Sequence, residues 1–455
     1  MAIFALQLKG LWEEFYSYPT KTSVHLKFEP LEFPAMTFCN MNPVRLSQLD
    51  KFESIQNAYL EKDKLNDEEW VDDHDDSYDS EIFIDKEFLD EFNSTMDTFE
   101  IWKIRFLSEF GKLASKNRSL IGHQNEHFIH SAVYSGLKLP NDAFHEIHSH
   151  VYGNCFTLDE DSFITYGTGH KYSLKIIFNI ETHEYLKAFT SAYGVRMVFH
   201  ERGTFPLPDD EGLSLSSHSE THIGLRMSRI SRLGGKYGKC TDGHEFKKKY
   251  KVKYTVPLCR SICEIETLKS RCMCKQFSYV DFLNQGEDVR VCSTDDDFKC
   301  IREVIDDIHY GNEKCDCSSR CEERYFSKST SSLQWPHDEY LQQVLLDDLC
   351  NKRNRTDSSD QICNTTDQKE VSSNFLAVVI YFEDLDYEVI TEEPLYNTLR
   401  FLSDIGGAMG LYIGASVLTY VELLQLALEV FLLCKKKLTR VADDKRIPTE
   451  NKTEP

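Results

Sequence analysis

The sequence lacks the short motifs that mark nucleotide-binding and hydrolytic enzymes. It contains no glycine-rich phosphate-binding loop, no HExxH and no GxSxG, each of which places a fixed set of catalytic groups in a known local geometry. Basic residues are fewer than acidic ones: the chain has 52 Lys and Arg and 75 Asp and Glu, which gives a formal net charge of −23. We therefore expect neither an enzyme nor a cofactor.

Only one apolar run is long enough to cross a bilayer. A helix from Ile405 to Cys434 would rise about 1.5 Å per residue and exceed the roughly 30 Å of hydrocarbon. Lys435–Lys437 follow this run and Glu392–Glu393 precede it, and a basic flank marks the cytoplasmic side. The sequence thus predicts an internal C-terminus and a mostly extracellular chain, which excludes nucleic acid as a partner.

Small residues interrupt this apolar run at regular intervals. Gly406, Gly410 and Gly414 would share one helix face, where backbones of neighbouring helices can approach closely. Gly414-Ala415-Ser416 favours unwinding, and exposed carbonyls at membrane depth are tolerated where they line a wet cavity. Asp404 at the outer end, repeated around an oligomer, would attract cations. The alternative is a single-pass anchor that dimerises through its small residues.

The cysteines support an extracellular location for most of the chain. Of fifteen cysteines, fourteen precede the apolar run, and the remaining Cys434 lies at its cytoplasmic end. An even number in an oxidising compartment is typical of a disulfide framework. Four glycosylation sequons fall on the same side of the apolar run, at Asn93, Asn117, Asn354 and Asn364.

Ten of these cysteines lie between Cys240 and Cys321, with spacings that suit crosslinked elements. Cys259 and Cys263 would stack on one helix face, and Cys315 and Cys317 would share one face of a strand. Cys-x-Cys and Cys-x3-Cys pairs also bind zinc, although the extracellular context favours oxidation over a metal site. Spacing alone leaves the connectivity open.

Five blocks, which occur in one order along the chain, make it resemble the degenerin, epithelial sodium channel and acid-sensing ion channel family. They are the ten-cysteine run, the apolar run with Gly414–Ser416, and the segments FPAMTFCNMN (33–42), YGNCFTL (152–158) and GVRMVFH (194–200). The resemblance implies an α+β membrane protein in which a β-sheet palm carries a finger and a disulfide-stapled helical thumb. It also implies a trimer and a C-terminal transmembrane helix.

Individual residues take expected roles from the same resemblance. Ser403, Asp404, Gly407 and Leu411 would line the pore and gate, with Gly414, Ala415 and Ser416 as the selectivity filter. Tyr18 and Tyr237 would couple the thumb to the pore. Implied disulfides are Cys39–Cys155, Cys240–Cys321, Cys259–Cys317, Cys263–Cys315, Cys272–Cys300 and Cys274–Cys292, and the two cysteines left over, Cys350 and Cys363, are expected to bond to each other.

The expected domain organisation follows from these assignments. Residues 1–10 would be a remnant of a first transmembrane helix, 11–397 the extracellular domain, 398–434 the second transmembrane helix and 435–455 a cytoplasmic tail. Relatives begin with a cytoplasmic His-Gly motif and a full first helix, whereas only Met1 to Leu8 is apolar here. We therefore expect the sequence to lack the beginning of that helix. Apolar and β-branched residues predict buried palm strands at Phe33–Phe38 and Asn374–Phe382.

The function implied is that of a subunit of a trimeric, amiloride-sensitive sodium channel in the plasma membrane. Its partners would be sodium ions, lipid and two further homologous subunits. The stimulus stays open between a peptide, protons and a matrix contact. Acid sensing is disfavoured, because Gly203, Thr204 and Arg302 replace carboxylates of acid-sensing relatives and Asp306 alone is retained. The alternative is a non-conducting regulatory subunit or a cysteine-rich receptor with the same ectodomain.

Overall fold

The computed structural model describes residues 2–64, 98–160, 163–187, 189–275, 289–352, 368–414 and 416–444. The chain divides into two compact units. The smaller unit comprises Met1–Ser23, Leu233–Gly238 and Thr391–Pro455, and the larger comprises Val24–Arg232 and Lys239–Ile390. The mixed helix and sheet architecture agrees with the expected α+β class.

Fifteen strands are found in the described part of the chain. They are β1 (Thr20–Phe28), β2 (Leu31–Glu32), β3 (Ala35–Asn40), β4 (Ile129–Tyr134), β5 (Leu137–Lys138), β6 (Phe144–Ser149), β7 (Gly153–Leu158), β8 (Ile164–Thr165), β9 (Leu174–Asn179), β10 (Gly194–His200), β11 (Leu213–Ser216), β12 (Ser219–Ser231), β13 (Glu322–Gln334), β14 (Phe375–Phe382) and β15 (Asp386–Pro394). An eight-stranded sheet has the order β1-β15-β12-β14-β9-β4-β5, with β13 also paired to β12. A five-stranded sheet has the order β11-β10-β3-β7-β6, and β2 pairs with β8.

The two large sheets share one hydrophobic core. Alternate residues of β14, such as Val378 and Ile380, pack in one cluster with Phe38 and Phe156 from the five-stranded sheet. Because side chains alternate between the faces of a strand, this pattern places one face of each sheet against the other. The predicted strand at Asn374–Phe382 is confirmed as β14. The predicted strand at Phe33–Phe38 is observed as β3, which begins at Ala35 and lies in the other sheet.

The described part of the chain also contains helices. In chain order they are α1 (Ala2–Tyr16), α2 (Glu53–Lys64), α3 (Thr98–Lys112), α4 (Ser115–Ile121), α5 (Asn125–Phe128), α6 (Pro208–Glu211), α7 (His244–Tyr250), α8 (Val256–Cys272), α9 (Asp295–His309), α10 (Asp338–Tyr340), α11 (Asp347–Lys352), α12 (Gln368–Ser373), α13 (Thr398–Ile413) and α14 (Val417–Asp444). Short 3-10 turns lie at Leu46–Lys51, Asn141–Ala143, His170–Tyr172 and Thr182–Glu184, and Leu341–Leu346 is a π-helix. Helices α2 and α3 enclose a second core around Trp102 and Phe106.

Candidate pore and coupling site

Two helices of the smaller unit, α1 and α13, pack through aromatic side chains. The Phe15 and Phe401 rings stack with centroids 4.4 Å apart, and Trp12 meets Phe401 edge to face at 6.0 Å. Ala408, seven residues beyond Phe401 and therefore on the same helix face, is only 5% exposed. Helix α1 continues to Tyr16, beyond the end of the expected remnant at residue 10.

The opposite face of α13 is open in the single chain. Ser403, Gly407 and Leu411 are exposed, and Leu411 reaches 78%. A methyl group added at Gly406 or Gly407 would meet no atom of the described residues within 4 Å. These residues lie within one helical stripe, because positions three and four apart project in similar directions. Three of the four expected pore residues thus share an unpacked face.

Asp404, the fourth expected pore residue, lies at the border of that face and has a partner that the sequence did not reveal. The Tyr396 hydroxyl donates a hydrogen bond of 2.6 Å to the Asp404 carboxylate. Tyr396 is 3% exposed, and burial together with the nearby Asp404 charge raises the pKa of its phenol to about 12. The sequence feature that could have indicated this partner is the position of Tyr396 directly before Asn397, the residue that caps the N-terminus of α13.

The apolar C-terminal segment is not one continuous helix. Gly414 has φ of +68°, a left-handed conformation that glycine adopts without steric cost, and its N–H bonds the Gly410 carbonyl at 3.1 Å. Ser416 then caps the next helix through a hydrogen bond from the Thr419 N–H to its hydroxyl. This break agrees with the unwinding expected at these small residues, and the assignment of 398–434 to the second transmembrane segment stays a prediction. Ala415 lies outside the described residues.

The described helices contain no single one that is both long and apolar enough to cross a bilayer. One pair, Thr398–Ile413 with Leu418–Lys436, meets the length and composition together and bends by 82° at its break. Of the three expected filter residues, the structure describes Gly414 and Ser416, and both are exposed.

The structure brings the expected coupling residues together. Tyr18 and Tyr237 meet edge to face with ring centroids 5.5 Å apart. Tyr18 ends the turn after α1 with φ of +49°, and the Lys236 ammonium lies 5.6 Å from the centre of its ring. The Leu233 N–H donates to the Glu392 carboxylate at 2.9 Å, which anchors the other end of the Leu233–Gly238 segment.

Disulfides brace the larger unit. Cys39–Cys155 joins directly paired residues of β3 and β7, with Cα atoms 4.3 Å apart. The other described pairs are Cys240–Cys321, Cys259–Cys317, Cys263–Cys315, Cys272–Cys300 and Cys274–Cys292, the same pairs that the resemblance implied. Cys350 is also disulfide-bonded, and Cys363, its expected partner, lies outside the described residues.

Local structure around the cysteines follows the sequence only in part. Cys259 and Cys263 lie on α8 as their spacing indicates. Cys315 and Cys317 do not lie in a strand; the Cys317 N–H bonds the Cys315 carbonyl at 2.9 Å, so a tight three-residue turn presents both sulfurs to α8. Of the sequons, Asn117 is half-buried in α4, and Asn93, Asn354 and Asn364 lie outside the described residues.

Comparison with known proteins identifies the family. The profile of the amiloride-sensitive sodium channel family matches residues 1–426. The chain is 24% identical to the alpha subunit of the epithelial sodium channel of Xenopus laevis over 92% of its length and 74% of that protein. It is 26% identical to acid-sensing ion channel 1 of Gallus gallus, covering 100% of this chain and 81% of that protein.

Other relatives are matched over a smaller share of their own length. Degenerin mec-10 of Caenorhabditis elegans is 28% identical over 70% of this chain and 43% of its own length. A cryo-EM structure of a proton-activated chloride channel aligns with a TM-score of 0.29 at 7% identity, which is too low to inform the fold. The profile match covers well over half of the sequence. The chain therefore belongs to the amiloride-sensitive sodium channel family.

Proposed function

We propose that the chain is a subunit of a trimeric, sodium-selective, amiloride-sensitive channel in the plasma membrane. The observation that carries this proposal is the open stripe of α13, which combines Ser403, Gly407 and Leu411 on a helix whose other face packs on α1. Relatives named as alpha, beta and gamma subunits of the epithelial sodium channel support assembly from several homologous chains. The two partner subunits could be identical to this chain or different from it.

The pore would form where the open stripes of three α13 helices face one another. Small side chains at Ser403 and Gly407 permit close approach near the outer end, so this level would act as the gate. The Gly414–Ser416 break would present backbone carbonyls to passing ions and act as the selectivity filter. Asp404, at the border of the stripe, would add negative charge that concentrates cations.

An extracellular stimulus would reach this gate through the disulfide-braced helices. Cys240, the first residue of the crosslinked run, follows Tyr237 by three positions along the chain, so movement of the run would pull on the Tyr237 ring. Tyr237 contacts Tyr18, which follows α1, and α1 packs on α13. In this proposal, residues 11–397 are extracellular, 398–434 enter the membrane and 435–455 are cytoplasmic.

A substitution at Ser403 tests conduction without knowledge of the stimulus. The complete subunit carrying Ser403→Phe should show constitutive, amiloride-sensitive sodium current in oocytes, because a bulky ring prevents close approach of three helices at the gate. Leu399→Phe, an already large and 77% exposed position one turn earlier, is the matched control and should stay closed. Silence of the Ser403→Phe subunit despite surface expression, alone or with homologous subunits, would favour a non-conducting regulatory subunit or receptor.

A further inference from the structure

Two histidines and a glutamate converge on the eight-stranded sheet, away from the helices that would form the pore. His170, Glu220 and His222 each offer one ligand atom, and these three atoms lie within 4.8 Å of one another. The His222 Nε2 and the Glu220 Oε1 are 2.9 Å apart, and the His170 and His222 ring centroids are 5.6 Å apart. The cluster belongs entirely to the larger unit.

The fold explains why these side chains meet. Glu220 and His222 are two residues apart on β12, so they project from the same face of the sheet. They pair with Ala377 and Val379 of β14, whereas the main core contains the alternate residues of that strand, such as Val378 and Ile380. The cluster therefore lies on the face opposite that core.

A short turn brings the third group to this face. His170 begins the 3-10 turn His170–Tyr172, and the preceding Gly169 anchors that turn by donating its N–H to the Phe382 carbonyl at 3.0 Å. Phe382 ends β14, the strand beside β12. His170 and His222 are separated by 52 positions in sequence, so this convergence is a product of the sheet topology.

The donor set selects a class of metal. Two imidazole nitrogens and one carboxylate oxygen suit zinc and its neighbours in the first transition row, whereas calcium and magnesium prefer sites made of oxygen atoms. Tetrahedral zinc with bonds of about 2.0–2.1 Å holds its ligands about 3.3 Å apart, so small side-chain rotations would close this cluster around an ion. Three protein ligands leave a fourth position for water.

Lys175 contacts the cluster as well, but as a hydrogen-bond donor to Glu220 and not as a metal ligand. The Lys175 ammonium donates to the Glu220 Oε2 at 2.7 Å, which leaves Oε1 directed at His222. The carboxylate is thus oriented by an outer partner, as metal-binding carboxylates commonly are.

We propose that His170, Glu220 and His222 form a zinc-binding site of the ectodomain, with Glu220 bound through Oε1. A bound ion would crosslink the His170–Tyr172 turn to β12. Because Lys175 places a positive charge beside the site, it weakens zinc binding while it orients the ligand. The proposal concerns metal binding and stands independently of ion conduction.

Zinc titration of the purified full-length chain tests this site by calorimetry. The wild type should bind one zinc equivalent that His170→Ala and His222→Ala each weaken at least tenfold, while calcium and magnesium do not compete. His244→Ala is the matched control, because His244 is also a histidine of the larger unit and its side chain is 77% exposed. Lys175→Met should tighten zinc binding, because it removes the charge and keeps much of the hydrocarbon stem.

The variants separate loss of the site from loss of folding. His170 is exposed, so the metal-free unfolding midpoint of His170→Ala should match the wild type, whereas the half-buried His222 bonds Glu220, so His222→Ala should lower that midpoint while the variant stays folded under the conditions of the titration. Unchanged zinc affinity in His170→Ala and His222→Ala, or the same loss in His244→Ala, would overturn the proposal. So would the absence of saturable zinc binding by the wild type.

Discussion

The rings of Tyr18 and Tyr237 meet edge to face, 5.5 Å between centroids and 81° between planes, although 219 residues separate them in sequence. Tyr18 follows the helix that packs on α13, and Tyr237 lies three residues before the first cysteine of the crosslinked run. The segment that carries Tyr237 makes two further contacts: the Leu233 N–H donates to the Glu392 carboxylate, and the Lys236 ammonium lies 5.6 Å from the centre of the Tyr18 ring. The pair is thus a compact joint within the smaller unit.

The two tyrosines should be energetically coupled. An edge-to-face aromatic contact contributes about 0.5–1.5 kcal/mol beyond burial, so Tyr18→Ala and Tyr237→Ala should show non-additive losses of that size in denaturant unfolding of the purified chain. Combining Tyr18→Ala with Tyr310→Ala, a 76% exposed tyrosine, should give additive losses. Additivity of the first pair would mean that the contact carries no coupling.

Removal of the Tyr396 hydroxyl should destabilise the chain without changing the pore charge. Tyr396→Phe keeps the ring and loses a hydrogen bond to a carboxylate, a type of bond that contributes about 1.5–3 kcal/mol.

Asp404→Asn should lower sodium conductance at low ionic strength, whereas Tyr396→Phe should preserve it. Tyr412→Phe serves as the control for both assays. Equal conductance in Asp404→Asn and the wild type would remove Asp404 from the ion path.

Asp209 should make stability depend on pH in the acidic range. Burial and the neighbouring Asp210 raise the pKa of Asp209 from 3.8 to about 6, while burial lowers that of nearby His150 to about 3 and keeps it neutral. When folding raises the pKa of a carboxyl, the folded protein loses stability as the pH increases from the unfolded pKa to the folded one. For the two pKa units of Asp209 this loss is up to about 3 kcal/mol.

Replacement by asparagine should remove this penalty. Asp209→Asn is expected to unfold at higher denaturant than the wild type at pH 7.5 and at nearly the same denaturant at pH 4. Asp142→Asn, at an exposed position, is the control for the loss of one carboxylate charge. A constant difference between Asp209→Asn and the wild type across this range would contradict the assigned cause.

The Cys259–Cys317 crosslink should contribute to stability. Replacing both cysteines by serine opens a loop between positions 58 apart, and loss of a native disulfide costs about 2–5 kcal/mol. The denaturant midpoint should fall in the double variant and stay unchanged in Cys434→Ser, which removes the one free cysteine in the described part of the chain. An unchanged midpoint in the double variant would show that the remaining crosslinks suffice.

Apolar runs and regular residue spacings in the sequence correctly predicted individual strands and helices. The apolar, β-branched run at Asn374–Phe382 is a central strand, and the four-residue cysteine spacing at Cys259 and Cys263 lies on a helix. Basic and apolar residues alternate over residues 247–253, yet residues 247–250 belong to α7, where Phe246 and Tyr250 pack one helical turn apart with ring centroids 4.6 Å apart.

Contacts that depend on how elements are arranged in space could not be predicted from sequence patterns. The Tyr396–Asp404 hydrogen bond depends on how the chain enters α13, and the His170–Glu220–His222 cluster depends on strand order. The break at Gly414 was indicated by its small residues, but the 82° angle between the two helices was not. Tyr18 and Tyr237 were identified from family resemblance rather than from physical pattern.

Accessibility of α13 to a thiol reagent during conduction tests the central claim most directly. In complete Ser403→Phe channels lacking Cys434, a charged methanethiosulfonate should irreversibly reduce the amiloride-sensitive sodium current after Leu411→Cys, on the open stripe. It should leave the current unchanged after Ala408→Cys, on the face packed against α1. Equal modification of both positions, or of neither in a conducting channel, would contradict the assignment of this stripe to the pore.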